Sequence, residues 1–459
     1  MVKITGLLSF VFVLLSSSLA AAANAEHKLL KMNLNEIAFE ALNVAIDEQK
    51  YSADPFYLKG EWPTKIESTM VPALVGVGKM FGHESEATAF TTASVINVLA
   101  QIYLENPNLK NQYPIAQIPN SMAAGIKSFE RYKEGSTYNF YPAMIDKGVK
   151  VRRPIDMTLF PLWFGFTNIP NDADTTSAVL AALAFNARIH NQSFSISEEG
   201  LRDFSQFRDV NRKAMFFNRS NHLENSGGFM TWLYDENNPA MPRFYFATST
   251  KGERIPFNRN DVDCVVNANV LKLLALTKNT NLEGHRESCQ MLNTLIERDE
   301  HKDCGVYYPN TLNLSFAIAN AEKAGETCIT EKSHHLMVDK ILAMQQADGS
   351  WMNDGNIWQD QTLTTAFAVY SLLHYANPRE DRVHSALVYG VHWLLKNSRL
   401  QNGKLTWDAD HFFTATALAR SLIMWQSKAY TNAIVASVLL KMQREFPSYT
   451  TGKYLSLKF

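Results

Sequence analysis

The chain lacks an excess of charge of either sign. Its 44 Lys+Arg residues balance 45 Asp+Glu residues, which leaves a formal net charge of −1. Proteins that bind nucleic acid neutralise phosphates with a basic excess, so the composition argues against nucleic acid as the main partner. Charged residues are also sparse, at 19%, whereas hydrophobic residues make up 46%. This balance excludes a disordered chain, because ample apolar area is available to build a core.

Long apolar runs are absent except at the N-terminus. There Lys3 precedes an apolar stretch over 4–15, and small residues follow up to an A-x-A pattern at 23–25. This order is typical of a cleaved secretory signal, whereas a bilayer span needs about 20 apolar residues. The sequence therefore predicts a signal peptide over 1–25, export to the periplasm or the exterior, and no transmembrane segment in the mature chain.

Cysteine is scarce, and motifs for metals and nucleotides are missing. The four cysteines are Cys264, Cys289, Cys304 and Cys328. An even number in an exported chain predicts disulfides, and the three possible pairings stay open. No C-x-x-C pair, H-E-x-x-H motif, G-x-G-x-x-G run or P-loop occurs. We therefore predict neither a metal site nor a nucleotide cofactor, and the lack of a G-x-S-x-G elbow gives no support to a serine hydrolase.

A period of about fifty residues organises the C-terminal half. Segments that start with a polar residue and continue into small, apolar residues begin at 260, 310, 360 and 410. Earlier segments from 88 and from 172 have the same composition without the fixed spacing. A fixed period of this size indicates a repeat architecture.

Amphipathic helices are predicted between these segments. The stretches 332–346 and 382–396 place apolar residues at intervals of three and four, which marks helices with one buried face. Helices that are apolar nearly all round must be buried on two sides, so the alternation predicts an inner and an outer layer. We predict one all-α domain over 26–459, with a loop-rich insertion at about 209–259.

Glycine followed by an aromatic residue precedes several of the repeated segments. The run from Gln345 through Gly349-Ser-Trp351 resembles the Q-x(2–5)-G-x-W repeat of squalene cyclases and related prenyltransferase-type α/α toroids. A degenerate copy ends at Trp407, with Ser398 in place of the glutamine. The resemblance implies an α/α toroid, which is a ring of helical hairpins whose inner helices line a central cavity. A fold of this kind does not determine a function.

Two pairs of carboxyls begin repeated segments, Asp172-Ala-Asp174 and Asp261-Val-Asp263. Both resemble the D-x-D-D motif of class II terpene cyclases, whose middle aspartate protonates the substrate. The resemblance implies that Asp174 or Asp263 is the acid, with Asp172 and Asp261 beside it, and that the substrate is isoprenoid or lipid-like. Each copy has Thr or Cys where the motif has its last aspartate. Capping of the helix N-terminus is the alternative role for all four carboxyls.

A second polar group lies at the start of the later segments. Asp360, Asp408, Asp410 and His411 share one rim of the cavity if the repeats close into a ring. Carboxylates with a histidine nearby suit the cleavage of sugar chains, so a glycan lyase or a glycoside hydrolase is the second hypothesis. An ordinary hydrogen-bonded histidine is the alternative role of His411.

Trp232, Trp358 and Trp407 are the aromatic candidates for substrate binding, because they precede repeated segments. Aromatic faces bind sugars or stabilise cations, and filling of the core and the turns is the alternative. A third hypothesis is a non-catalytic ring that binds a ligand or a partner protein. An apolar cavity would favour the isoprenoid enzyme, and a polar cleft with exposed tryptophan would favour the glycan enzyme. A filled ring centre would favour the binding protein.

Overall fold

Helices dominate the structure, which is a computed structural model. It describes residues 24–54, 56–68, 85–146, 148–152, 169–214, 218–219, 223–233, 246–248, 254–256, 259–301, 304–353, 360–414, 423–448 and 450–456. The main helices are α1 (Leu34–Asp47), α2 (Ala89–Glu105), α3 (Ile118–Ile126), α4 (Ala173–Ile189), α5 (Glu198–Gln206), α6 (Cys264–Leu276), α7 (His285–Glu297), α8 (Asn313–Ala324), α9 (Glu331–Ala343), α10 (Gln361–Tyr375), α11 (Asp381–Lys396), α12 (Lys428–Glu445) and α13 (Thr451–Leu455).

Helices α2, α4, α6, α8, α10 and α12 stand side by side as an inner layer. Each contacts the next, and α12 returns to contact α2, so the ring is closed. The outer helices pack on this ring: α1 lies against α12, α3 against α2 and α4, α7 against α6, and both α9 and α11 against α10. The predicted α/α toroid is confirmed.

Residue size explains why the inner layer can be buried on both sides. In α4 every residue over 173–182 is buried, and most of them are Ala, Ser or Thr, which allow close approach of neighbouring helices. Helix α11 instead buries Val383, Leu387, Val391 and Leu394 at intervals of three and four. This is the one-sided pattern expected of a helix that faces solvent on its other side.

The predicted motif around Trp351 fastens one outer helix to the next. The indole Nε1 of Trp351 donates to a carbonyl near the end of α9 at 2.6 Å. The amide of Gln345 donates to the carbonyls of Gly349 at 3.0 Å and of Ala386 on α11 at 2.9 Å. Gly349 has a φ of +89°, and a Cβ there would lie 2.5 Å from the carbonyl oxygen of Tyr389. Only glycine fits this joint.

The same joint recurs between α1 and α3, where the sequence did not reveal it. The amide of Gln49 donates to the carbonyls of Gly60 and of Ser121 on α3, each at 2.8 Å. The indole Nε1 of Trp62 donates to the carbonyl of Ala45 on α1 at 2.7 Å. Residues 50–59 separate the glutamine from the glycine, and this insertion exceeds the motif's spacing.

Each joint also bonds to an inner helix. The backbone N–H of the joint's aromatic residue donates to a Thr or Asn side chain near the start of that helix, at 2.8 to 3.2 Å. The pairs are Trp62–Thr92, Tyr138–Thr176, Phe229–Asn267, Trp351–Thr365 and Trp407–Asn432. The same hydrogen bond therefore recurs from one repeat to the next, in addition to the recurring sequence pattern.

Short strands lie between the helices. They are β1 (Thr64–Ser68), β2 (Ser85–Glu86), β3 (Lys133–Glu134), β4 (Thr137–Tyr138), β5 (Ala143–Asp146), β6 (Val149–Arg152), β7 (Asn171–Asp172), β8 (Lys213–Ala214), β9 (Trp232–Leu233), β10 (Phe246–Thr248), β11 (Arg254–Pro256), β12 (Arg259–Asn260), β13 (Arg399–Gln401), β14 (Lys404–Thr406), β15 (His411–Thr414) and β16 (Ile423–Gln426). Strands β15, β16, β1 and β2 pair in that order as an antiparallel sheet. The described parts of the insertion at 209–259 hold β8 to β11 and the start of β12, so that segment is not loop alone.

The segment from 410 does not begin an inner helix, which corrects the sequence prediction. Residues His411–Thr414 form β15, and the inner helix of this repeat is α12, which begins at Lys428. Aromatic and β-branched residues favour strands. Strand β15 pairs with β16, which in turn pairs with β1. This sheet pairing overrides the small, apolar pattern of the segment.

The four cysteines form two disulfides, which correspond to one of the three pairings left open by the sequence. Cys264 at the start of α6 is bonded to Cys304, and Cys289 on α7 is bonded to Cys328. Disulfides agree with the predicted export, while residues 1–23 of the predicted signal lie outside the described residues. Across the part of the chain that the structure describes, no helix has both the length and the apolar content to cross a membrane.

Candidate functional site

The two predicted carboxyl pairs converge between α4 and α6. Asp172 and Asp174 stand at the start of α4, and Asp261 and Asp263 stand at the start of α6. These two helices are neighbours in the ring. The four residues are 6%, 3%, 4% and 0% exposed, respectively. Packing of α4 on α6 thus gathers in one buried cluster four acids that lie far apart in the sequence.

Asp174 is bonded to the lining of the ring's interior. Its Oδ1 accepts from Nδ2 of Asn269 at 2.8 Å, and its Oδ2 accepts from the hydroxyl of Tyr308. Both donors line the central cavity. Burial raises the pKa of Asp174 to about 6, although these two hydrogen bonds and the charge of Lys272 oppose the increase. The carboxyl therefore exchanges its proton near neutral pH, as a general acid must.

Asp172 caps α4 and holds a proton at neutral pH. Its Oδ1 accepts from the N–H of Thr175 at 2.5 Å. Its Oδ2 is buried and has no hydrogen-bond partner among the described residues. Burial, and to a smaller extent the neighbouring charge of Asp174, raises its pKa to about 8. A neutral Asp172 therefore stands beside Asp174.

Asp263 and Asp261 are held by different kinds of donor. The Oδ1 of Asp263 accepts from two N–H groups in the first turn of α6, at 2.7 and 3.0 Å, and its Oδ2 accepts from the N–H of Tyr307 at 2.9 Å. Burial raises the pKa of Asp263 to about 7. Asp261 Oδ2 accepts from the Tyr307 hydroxyl at 2.7 Å and from Nε1 of the half-buried Trp232 at 2.9 Å. Backbone N–H groups thus occupy both oxygens of Asp263, one by capping α6 and one by binding Tyr307, whereas Asp261 is bonded to side chains.

Aromatic rings close the mouth of the ring beside the carboxyl cluster. Phe413 of β15 lies at the centre of this group. The ring centroids within 5.0 to 6.1 Å of its own include those of Phe90, Phe140, Trp425, Tyr307 and Tyr308. We call these six rings the aromatic mouth. Since Tyr307 and Tyr308 also bind the carboxyls, the aromatic mouth and the acid cluster form one continuous site.

His411, the first residue of β15, is held between two carboxylates. One is Asp360 at the start of α10, and the other is Glu67 on β1. The Nδ1 of His411 lies 2.9 Å from Oδ1 of Asp360, and its Nε2 lies 3.1 Å from Oε2 of Glu67. Burial disfavours the charged imidazole, but the hydrogen bonds to the two carboxylates outweigh it and raise the pKa of His411 to about 9. The hydrogen bond from His411 lowers the pKa of Glu67 to about 2. The charged His411 therefore ties β1 and β15 to α10.

Asp410 lies next to this triad and caps α10 from outside. Its Oδ2 accepts from the N–H of Leu363 at 2.8 Å. Burial and the nearby charge of Asp360 raise the pKa of Asp410 to about 7. Asp360, Asp410 and His411 thus lie close together, but their hydrogen bonds connect β15 to the start of α10 and are structural.

A small cavity lined by both polar and apolar side chains lies at the ring centre, bordered by the aromatic mouth. Its volume is about 60 Å³, which is room for only a few water molecules. Helices α2, α4, α6, α8 and α12 all contribute to its lining. The polar lining residues include Ser94, Asn97, Gln101, Asn269, Lys272, Asn313 and Asn320. The cavity is too small to hold a long apolar substrate as it stands.

Charged side chains gather at the opposite end of the ring, where the inner helices finish. Glu105 at the end of α2 lies 2.5 Å from Nζ of Lys323, 3.7 Å from Nζ of Lys441 and 3.6 Å from a guanidinium nitrogen of Arg444. Nζ of Lys441 also lies 3.7 Å from the ring centroid of Tyr370. We call this group the ionic end; it joins three inner helices and lies opposite the aromatic mouth.

Trp407 is not at the rim, which corrects the prediction that it binds substrate. It is 0% exposed, and its Nε1 donates to the carbonyl of Leu394 on α11 at 2.8 Å. Trp407 is the joint tryptophan of its repeat, equivalent to Trp351 and Trp62. Trp358, the other predicted rim residue, lies outside the described residues.

Two site residues on α6 were missed from the sequence. Asn269 and Lys272 lie on a helix that is otherwise almost wholly apolar, and both face the central cavity. A polar residue inside an apolar, doubly buried helix is the signal that would have identified them, because an unpaired buried charge is costly.

The described residues offer one group with the spacing of metal ligands, His285, Cys289 and Glu326. Cys289 is bonded to Cys328 in a disulfide, so it has no thiolate to offer.

No family model matches this chain, and no curated protein matches it. Solved structures do. The ligand-free type II terpene cyclase MstE from Scytonema is 15% identical, with 90% of this chain and 98% of that chain covered and a TM-score of 0.54. A variant of MstE in complex with its substrate geranylgeranyl dihydroxybenzoate is 15% identical, with 89% and 98% covered and a TM-score of 0.52. A protein from Actinoplanes is 12% identical, with 89% and 99% covered and a TM-score of 0.54. At these identities the likeness shows the fold alone: the chain has the α/α-toroid architecture of type II terpene cyclases.

Proposed function

We propose that the chain is an exported enzyme that uses a buried carboxyl as an acid on an isoprenoid or lipid-like substrate at the aromatic mouth. The observation that carries the proposal is the convergence of four buried carboxyls with raised pKa values on one side of six packed aromatic rings. Perturbed acids in such surroundings are more typical of functional sites than of ordinary helix caps.

Asp174 is the best candidate for the acid. Both oxygens of Asp263 are engaged by backbone N–H groups, which fits a cap. Asp174 is bonded instead to Tyr308 and Asn269, side chains of the cavity lining. The neutral Asp172 beside it is the nearest source of a replacement proton. Proton transfer from Asp174 to a substrate double bond would leave a carboxylate on the protein and a cation on the substrate.

The aromatic mouth supplies the environment that such a cation needs. Aromatic faces carry negative quadrupole density and attract cations. The rings of Phe413 and Phe90 lie 5.2 Å apart, and those of Phe413 and Phe140 lie 5.0 Å apart. A substrate therefore enters this space only if Phe413 moves aside. The substrate that MstE binds, geranylgeranyl dihydroxybenzoate, supports an isoprenoid chain as the first class to test.

The experiment incubates the purified protein with geranylgeranyl dihydroxybenzoate, geranylgeraniol and squalene, and analyses the products by mass spectrometry. Protonation followed by loss of a proton gives isomers of unchanged mass, so cyclised isomers are expected. Asp174→Asn should reduce their formation by about 10²-fold or more. Asp408→Asn is the matched control, because Asp408 is exposed and paired with Arg399. Full activity of Asp174→Asn would eliminate Asp174 as the acid.

A non-catalytic binding ring is the second candidate, because the ring centre is nearly filled. The cavity of about 60 Å³ is far below the roughly 300 to 1,000 Å³ of typical ligand pockets. This candidate predicts that the same compounds bind, with a change in tryptophan fluorescence, and are recovered unchanged. A glycan enzyme has less support: Trp407 and Trp351 are fully buried and Trp425 is 4% exposed, so none offers a face to a sugar.

A further inference from the structure

Lys272 occupies an unusual position inside the ring. It lies on the inner helix α6, is 7% exposed, and lines the central cavity. Its ammonium group donates no hydrogen bond to any residue that the structure describes. The charge of Asp174 acts on this ammonium, but buried polar groups normally also make hydrogen bonds. The position of Lys272 therefore indicates that something in the cavity accepts from it.

Other polar atoms around the cavity are also without partners. The Oδ1 of Asn97 and the Nδ2 of Asn313 are both buried and make no hydrogen bond within the described ranges. The Nδ2 of Asn97 donates to the carbonyl of Ala178 at 3.0 Å, which fixes the orientation of that amide. Ser94 and Gln101 add further hydrogen-bonding groups to the lining. The polar side chains of the lining offer more hydrogen-bond donors than acceptors. The charged group among them, the ammonium of Lys272, is a donor.

The charges that face Lys272 leave room for an anion. Asp174 is the nearest carboxyl, and hydrogen bonds from Asn269 and Tyr308 engage its two oxygens. The charge of Asp174 acts on Asp172 and Asp263 at the starts of α4 and α6, and the raised pKa of Asp172, about 8, keeps a proton on it at neutral pH. Tyr308 and the cavity-lining Tyr430 are the other titratable groups here, and burial raises both of their pKa values, so both stay neutral.

The ionic end is also positive. Lys323 and Arg444 alone outnumber the single carboxylate of Glu105. Gln101 of the cavity lining lies one helical turn before Glu105 on α2, and Asn320 lies just before Lys323 on α8. A net positive group next to a buried lysine raises the local concentration of small anions at this end of the ring.

We propose that the central cavity binds a small oxyanion, a carboxylate or hydrogencarbonate, with its charge against Nζ of Lys272 and an oxygen accepting from Nδ2 of Asn313. About 60 Å³ suits an anion of about four heavy atoms, since one water needs roughly 10 to 15 Å³ on the same measure. The family resemblance indicated neither Lys272 nor Asn313. The oxyanion site does not depend on the proposed acid catalysis.

The test measures binding of sodium acetate and of sodium hydrogencarbonate by calorimetry and by thermal unfolding, with sodium chloride at equal ionic strength as reference. The wild type should show a melting temperature that rises with the concentration of at least one oxyanion and not with chloride. Lys272→Met should lower the affinity by about tenfold or more, because charge-assisted hydrogen bonds are the strong ones. Lys332→Met is the matched control, since Lys332 is exposed and pairs with Glu297 on a neighbouring outer helix.

Folding is checked in the absence of oxyanion. Lys272→Met removes the charge that faces Asp174, so its unfolding without oxyanion is measured first, and the affinity is compared only at temperatures where both proteins are folded. Asn313→Leu gives an independent measurement and should weaken the oxyanion several-fold. A response to acetate alone identifies a carboxylate site, and a response to hydrogencarbonate alone identifies that anion. Equal affinity in Lys272→Met, or equal melting in all three salts, overturns the proposal and leaves a cavity filled by water.

Discussion

Replacement of Asp174 by asparagine should make the stability of the protein less dependent on pH. An unfolded aspartate has a pKa near 3.8, and burial raises the folded value to about 6. Because the folded pKa is the higher one, the stability linked to this proton is complete below pH 3.8 and is lost as the pH rises to 6. The difference between the two values corresponds to about 3 kcal/mol of unfolding free energy.

Asp174→Asn has no titratable carboxyl at this position, so it does not lose stability between pH 3.8 and 6. It also makes one hydrogen bond fewer than the wild type. In asparagine an NH₂ group replaces one of the two carboxyl oxygens, and that group cannot accept the hydrogen bond that Tyr308 or Asn269 donates at its position. Loss of one such bond costs about 1 kcal/mol. The variant should therefore be about 1 kcal/mol less stable than the wild type at pH 3.5 and equally stable between pH 4 and 5. At pH 7 it should be about 2 kcal/mol more stable.

Urea unfolding followed by tryptophan fluorescence and circular dichroism, from pH 3.5 to 8, measures these differences. Asp408→Asn is again the control, because a surface ion pair contributes at most about 1 kcal/mol. A stability difference between Asp174→Asn and the wild type that stays constant across this pH range would refute the assignment of a raised pKa to Asp174. It would also remove the main physical argument for its role as an acid.

Two further predictions concern the scaffold. His411→Gln should destabilise the protein by up to about 3 kcal/mol at pH 6, where the charged His411 is fully held. Because its pKa is raised from 6.5 to about 9, the effect should fade as the pH rises through 9, and a pH-independent effect in urea unfolding would count against the triad. Gln49→Leu and Gln345→Leu should each lower the melting temperature by a similar amount. Each removes donors to two carbonyls, at about 1 to 3 kcal/mol per unpaired buried group, so a loss confined to Gln345→Leu would deny that the two joints are equivalent.

The layers and the ring were predictable because each repeat carries its own local signal. A doubly buried helix must be small and apolar, and an outer helix must be one-sided, so composition alone separates α4 from α11. The joint at Gln49 was missed for the opposite reason. Its hydrogen bonds match those at Gln345, but the chain between the glutamine and Gly60 is longer, and a motif defined by spacing does not tolerate an insertion.

The segment from 410 shows where local pattern fails. Its composition matches the other repeats, yet β15 exists because β16 offers it a partner, and β16 in turn pairs with β1, which lies hundreds of residues earlier. Sheet pairing across the ends of the chain is not visible in a fifty-residue window. The same limit applies to His411, whose role depends on Glu67 at a sequence separation of 344.

The carboxyl pairs show how capping and catalysis can share one position. Every inner helix needs an acceptor at its start, so an acid there is explained by the helix alone. One oxygen of Asp263 caps α6, and the other accepts from the backbone N–H of Tyr307. Asp174 is not a cap, because it lies inside the first turn, where the cap is already Asp172, and its oxygens bond to side chains from α6 and from the turn before α8. The helix does not need the buried acid Asp174, which lies beside the central cavity and the aromatic mouth. Capping therefore leaves Asp174 unexplained. Chemistry is therefore to be sought at this mouth and at this residue before any other part of the ring.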